Sequence, residues 1–148
     1  MSQFSHTGKD WQRMFATALA YYVTAKLGLL FSLMGGAVTL LWMPSGIALA
    51  AMLLYGTRMW LGVLLGAFFG YLATTGRVTA AELAVGAVLE AELGAWLLRR
   101  YSLNLALLQN RDAFLLLISA LLSSLFSAVN GIFWLRYNGL LSSGEVPA

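Results

Sequence analysis

Residues 41–76 read LWMPSGIALAAMLLYGTRMWLGVLLGAFFGYLATTG, and this stretch decides the fold. Arg58 is its one charged side chain. Two apolar runs flank the Gly56-Thr57-Arg58 turn: Val38 to Tyr55, interrupted by Pro44, and Met59 to Thr74. A membrane-crossing helix needs roughly 20 mostly apolar residues. Pro44 lacks an N–H and suits the first turn of a helix. From Pro44 to Tyr55 is twelve residues, about 18 Å of helix, too short to span alone. The pattern therefore predicts a broken segment whose helical half starts near mid-membrane, its first N–H groups carrying partial positive charge. Such breaks are tolerated inside protein or beside a wet cavity, and in transporters they mark binding sites. A simple proline kink, satisfied by neighbouring helices, is the plainer reading.

Three more apolar runs lie outside this stretch. Met14 to Met34 is closed by Gly35-Gly36, Thr79 to Leu98 by Arg99-Arg100, and the last covers Ala113 to Leu135. The expected fold is all-α and integral to the membrane: a bundle of about five transmembrane helices, the second broken at Pro44. The first run is longer than the 7–15-residue apolar core of a signal peptide, and it contains Lys26.

Composition agrees. The 148 residues are 60% hydrophobic and 10% charged, with mean hydropathy +0.79. A soluble domain carries about 25% charged residues, and disorder needs low hydrophobicity with high net charge. Both are excluded. There is no cysteine, and the single histidine is His6. Thiol chemistry and a histidine-rich metal site drop out, and no cofactor is expected. The net charge of +3 comes from scattered basic residues, not a block, so nucleic acid is not an expected partner. The lipid bilayer is.

Lys and Arg set orientation. With the N-terminus in the cytoplasm, Lys9, Arg13, Arg58, Arg99, Arg100 and Arg111 lie inside, and Arg77 and Arg136 outside. The expected layout is a cytoplasmic tail over 1–13, a bundle over 14–135 and an outward-facing tail over 136–148.

Small residues recur at multiples of four, on one helix face: Gly62, Gly66 and Gly70; Gly86 and Gly94; Ser119, Ser123 and Ser127. Such rows let helices approach closely in lipid. They serve helix packing within one bundle, or an interface to a second copy or a partner membrane protein.

Charges inside a membrane are costly, roughly 2.5–3.5 kcal/mol each on insertion scales. Lys26 and Pro44 both fall about 18 Å from the cytoplasmic end, and Glu90 about 12 Å. The sequence therefore predicts that Lys26 pairs with Glu90 beneath Ser45 and Gly46, lining a cavity for an anionic or zwitterionic ligand. The candidate ligand-binding residues are Lys26, Trp42, Pro44, Ser45, Gly46 and Glu90. Glu92 points about 200° away from Glu90, so the two do not form an acid–base pair.

The 41–76 stretch, with Trp42, Pro44, Gly46, Arg58, Trp60 and Gly66, resembles the membrane-associated sensor domain of the first type. That domain occurs in bacterial histidine kinases and cyclic-di-GMP enzymes. A second block, GAVLEAELGAWLLRR at 86–100, matches it at Gly86, Glu90, Leu97, Leu98, Arg99 and Arg100. Ala87 departs where asparagine is usual, and Glu92 is an extra charge. Arg111-Asp112 and the small-residue fifth helix are also similar. The resemblance covers Tyr21 to Leu135, about the N-terminal half of an eight-helix domain. It implies a non-catalytic sensor module, or a fragment of one, in the bacterial inner membrane, with an unidentified small ligand. A small-solute binding or transport subunit is the alternative from the residues alone. No nucleophile arrangement, metal cluster or phosphate loop points to an enzyme.

Overall fold

The computed structural model describes residues 8–33, 43–103 and 110–139. Five α-helices make up almost all of it: α1 Gly8–Leu33, α2 Met43–Tyr55, α3 Trp60–Thr75, α4 Arg77–Arg100 and α5 Asn110–Tyr137. A single 3-10 turn, Thr57–Met59, leads into α3. No strand occurs among the described residues.

The connections are set by local chemistry. Gly56 and Gly76 adopt φ of +89° and +80° with ψ of 175° and 173°, a region open essentially to glycine alone. Gly76 alone separates α3 from α4, whereas Gly56 opens the 3-10 turn that leads from α2 into α3. α4 ends differently: Leu103 N–H reaches the Leu98 carbonyl at 3.0 Å and Ser102 N–H the Arg99 carbonyl at 3.1 Å. This is a Schellman closure, with Ser102 in the left-handed position at φ 53°. Pro44 sits in the first turn of α2, where its missing N–H costs nothing.

α4 is the hub. It packs against α2, α3 and α5, while α1 closes the other side against α2 and α3. The α1–α3 seam is made by glycines. A Cβ placed on Gly62 would stand 2.6 Å from the Met14 carbonyl oxygen, and one on Gly66 2.7 Å from that of Ala18. One on Gly70 would lie 3.2 Å from the Ala25 side chain. Since both residue series rise together, α1 and α3 run parallel. The core is correspondingly small-sided: Ala48, Ala51, Ala67, Ala84, Ala91 and Ala95 are buried around Tyr21, Met52, Met59 and Val63.

One end of the bundle is held by basic side chains. Asp10 lies 3.8 Å from Arg13 and 3.6 Å from Arg58, and the Arg13 guanidinium stacks 4.7 Å above the Tyr55 ring. Arg99 donates to the Met52 carbonyl, and Arg111 to the Tyr101 carbonyl at 3.1 Å. Among the described helices, α5 alone is long and apolar enough by itself to cross a membrane, and Met43–Tyr55 is a shorter apolar helix.

Candidate functional site

The expected ligand residues separate in space. Glu90 is 7% exposed, on the face of α4 shared by Gly86 and Gly94. Its carboxylate accepts hydrogen bonds from the Ser45 and Ser127 hydroxyls. Three helices thus converge on one acid: Ser45 from the first turn of α2, Glu90 from α4 and Ser127 from α5. The first turn of a helix is where a negative group is electrostatically favoured. Two hydroxyls and that helix end are the polar groups around Glu90.

Lys26 lies elsewhere. Its ammonium stands 5.6 Å above the Tyr22 ring on the outer side of α1, beside Leu72 and Ala73 of α3. Among the described residues it makes no ion pair, with Glu90 or any other acid. The predicted Lys26–Glu90 contact is therefore corrected. Depth along the helix was matched, but rotation about it was not. Met14, Thr17, Tyr21 and Ala25 form the buried face of α1, and Lys26 is one step, about 100°, beyond Ala25.

Of the other expected residues, Pro44 is buried and Gly46 is exposed. Among the described residues a Cβ on Gly46 would meet nothing within 4 Å, so against them the α2 backbone beside Ser45 is open. Trp42 lies outside the described residues.

The small-residue rows of α4 and α5 face one another in antiparallel register. A Cβ on Gly94 would be 2.9 Å from Ser123 Oγ and 3.0 Å from Leu49 Cδ1, and one on Gly86 would collide with the Asn130 amide. Ser119 and Ser123 are buried there, but their hydroxyls return to the backbone of α5, donating to Leu116 and Ser119 carbonyls at 3.0 and 2.7 Å. Ser127, the third of the row, turns to Glu90 instead. Sequence reasoning had assigned Ser127 to helix packing and passed over Asn130. The available signal was register: Gly94 opposite Ser123 puts Glu90, one turn on, opposite Ser127. Asn130 also accepts from Trp134 Nε1 at 3.2 Å, and at that end of the bundle Asn138 Nδ2 donates to Glu82 at 2.7 Å.

No group of three or more metal-ligating side chains occurs among the described residues. The cluster can offer hydrogen-bond acceptance at one buried carboxylate, beside an open stretch of helix backbone.

No curated protein and no solved structure matches the chain. The MASE1 family model matches residues 13–146, a longer stretch than the Tyr21–Leu135 resemblance. MASE1 is a membrane-associated sensor domain of histidine kinases and cyclic-di-GMP enzymes, found in bacterial inner-membrane proteins. With nearly its whole length under that match, and with an all-helical fold, this chain belongs to the MASE1 family of membrane sensor domains.

Proposed function

We propose that this chain is a non-catalytic sensor module whose five helices all cross the inner membrane, with the N-terminus in the cytoplasm. The observation that carries the sensing role is the Ser45–Glu90–Ser127 cluster. One buried acid ties together three helices within a seam made largely of small and apolar side chains. A ligand reaching Ser45 over the open backbone at Gly46 would compete for that acid and change how α2 and α5 sit on α4. Hydrogen-bond donors on the ligand suit a carboxylate acceptor. Pro44, Ser45, Gly46 and Glu90 are the proposed contact residues, with Trp42 just before them in sequence.

The spanning reading draws support from the charges. Asp10, Arg13, Arg58, Arg99 and Arg111 gather at one end of the bundle through the contacts above, as a cytoplasmic face rich in Lys and Arg requires.

The test uses the absence of cysteine. Small-molecule fractions from bacterial cells are added to the chain in lipid nanodiscs, and the melting temperature is read. At least one fraction should raise it for the wild type and leave Glu90→Gln and Ser45→Ala unmoved. Equal shifts in all three proteins would contradict the assignment. Single cysteines at Ser102 and Asn138 then report topology: an impermeant maleimide should reach Asn138→Cys in intact cells and Ser102→Cys only after lysis.

A further inference from the structure

α2 is fastened to α4 at both ends. In its first turn Ser45 donates to the Glu90 carboxylate, and near its last turn the Met52 carbonyl accepts from the Arg99 guanidinium. Between these contacts Leu49 lies against Gly94, where an added Cβ would stand 3.0 Å from Leu49 Cδ1. The pairs 45–90, 49–94 and 52–99 rise together, so α2 and α4 run parallel. Ala48 and Ala51 of α2 and Ala91 and Ala95 of α4 are buried in the same core. Alanines make a smooth surface, which leaves the register of α2 to Leu49 and the two polar contacts.

Charge follows the same plan. A helix carries partial positive charge at its start and partial negative charge at its end. α4 sets an acid beside the start of α2 and a base beside its end. Glu90 and Arg99 are nine residues apart, about 13 Å of helix, whereas Ser45 to Met52 is about 10 Å. Direction absorbs the difference: helical side chains lean back toward the start of their helix, and helical carbonyls point toward the end. The Met52 carbonyl already takes the Gly56 N–H at 3.0 Å, so Arg99 fills its second lone pair. Arg99 is exposed, and Glu92, two turns back on α4, also attracts it. Letting go of Met52 therefore costs one hydrogen bond and strands no cation. We infer that Arg99 is a latch for α2: a shift of α2 along its axis breaks the Ser45 and Met52 contacts together, so an event at Glu90 is reported at the basic end of the bundle. The latch deepens the sensing role of the Glu90 cluster and, as regulation, rests on that role; the coupling itself needs no ligand.

The test is hydrogen–deuterium exchange of the full chain in lipid nanodiscs, without ligand, resolved along α2 by mass spectrometry. Coupling between two sites is reciprocal. Ser45→Ala should therefore speed exchange at Tyr55 and Gly56, the Arg99 end of α2. Arg99→Gln should speed it at Ile47 and Ala48, the Ser45 end. Each change should be about fivefold, as expected for losing one hydrogen bond. Arg99→Lys, which keeps a donor and the charge, should exchange as the wild type does. The α1–α3 seam, at Val63 and Ala67, should not change in any variant. Changes confined to the mutated end of α2 would overturn the latch, as would Arg99→Lys exchanging as fast as Arg99→Gln. Faster exchange spread evenly over all the helices would overturn it too, because Arg99 would then hold the bundle in general. The two readings fail separately. Coupled ends of α2, with no small-molecule fraction raising the melting temperature, overturn the sensing role alone, whereas independent ends overturn the latch alone.

Discussion

Glu90 and Lys26 are both ionisable residues set in apolar helices, and the fold treats them in opposite ways. Glu90 is enclosed between three helices and met by two hydroxyls. Lys26 is left on the outside of α1, over an aromatic ring in an apolar groove. The difference teaches that a bundle of this kind has two polar devices with separate duties. An enclosed acid can report on helix positions because moving any of its neighbours breaks a hydrogen bond. An outward cation cannot do that, but it can meet what surrounds the bundle. The seams differ in the same sense. Backbone carbonyls face Gly62 and Gly66 of α3, a contact with no slack, whereas the Ser123 hydroxyl and the Asn130 amide face Gly94 and Gly86 of α4. Such groups can rotate away.

The largest expected effect tests the rigid region. Gly66→Leu must displace the Ala18 backbone and Tyr21, so it should cost about 3 kcal/mol or more. Unfolding in a detergent titration reads the loss; an unchanged midpoint would show that α1 and α3 are not in this contact. Gly94→Ala meets only the mobile ends of Ser123 and Leu49 and should cost less, about 1–2 kcal/mol. Equal penalties for the two glycines would erase the distinction between the seams.

Glu90→Ala comes next. It leaves the Ser45 and Ser127 hydroxyls without their acceptor and opens space among three helices, at about 2–3 kcal/mol. Ser45→Ala removes one hydrogen bond and should cost about 1 kcal/mol. Were Ser45→Ala as damaging as Glu90→Ala, α2 alone would anchor the acid and α5 would not share in it.

Much of this was legible in the sequence because it is local. Pro44 opens α2, Gly56 and Gly76 reverse the chain, and small residues at multiples of four mark the seams; each depends on a few neighbouring residues. Rotation of a helix about its own axis was harder to read. In water the buried face of a helix is the apolar one, but in a bilayer the lipid is as apolar as the core, so hydrophobicity no longer tells inside from outside. α1 shows the consequence. Tyr21 is buried and Tyr22, its neighbour, is exposed. What orients α1 is the fit of Met14, Ala18 and Ala25 to the glycines of α3, a long-range contact. The same blindness let Lys26 be matched to Glu90 by depth. Ser127 was hidden for a related reason: its row reads as uniform packing until antiparallel register sets one member against an acid.

The smallest effect is also the most decisive for the contrast between the two charges. Lys26→Met alone should change folding stability by about 0.5 kcal/mol, as for the loss of one cation–π contact at a half-buried position. The direct measurement is a double-mutant cycle of Lys26→Met with Glu90→Gln, read as unfolding free energy of the chain in one detergent–lipid mixture. Separate sites predict additivity within about 0.5 kcal/mol. A coupling well above 1 kcal/mol, with the double variant recovering stability that each single variant loses, would contradict the account, because it would place Lys26 against Glu90 inside the bundle.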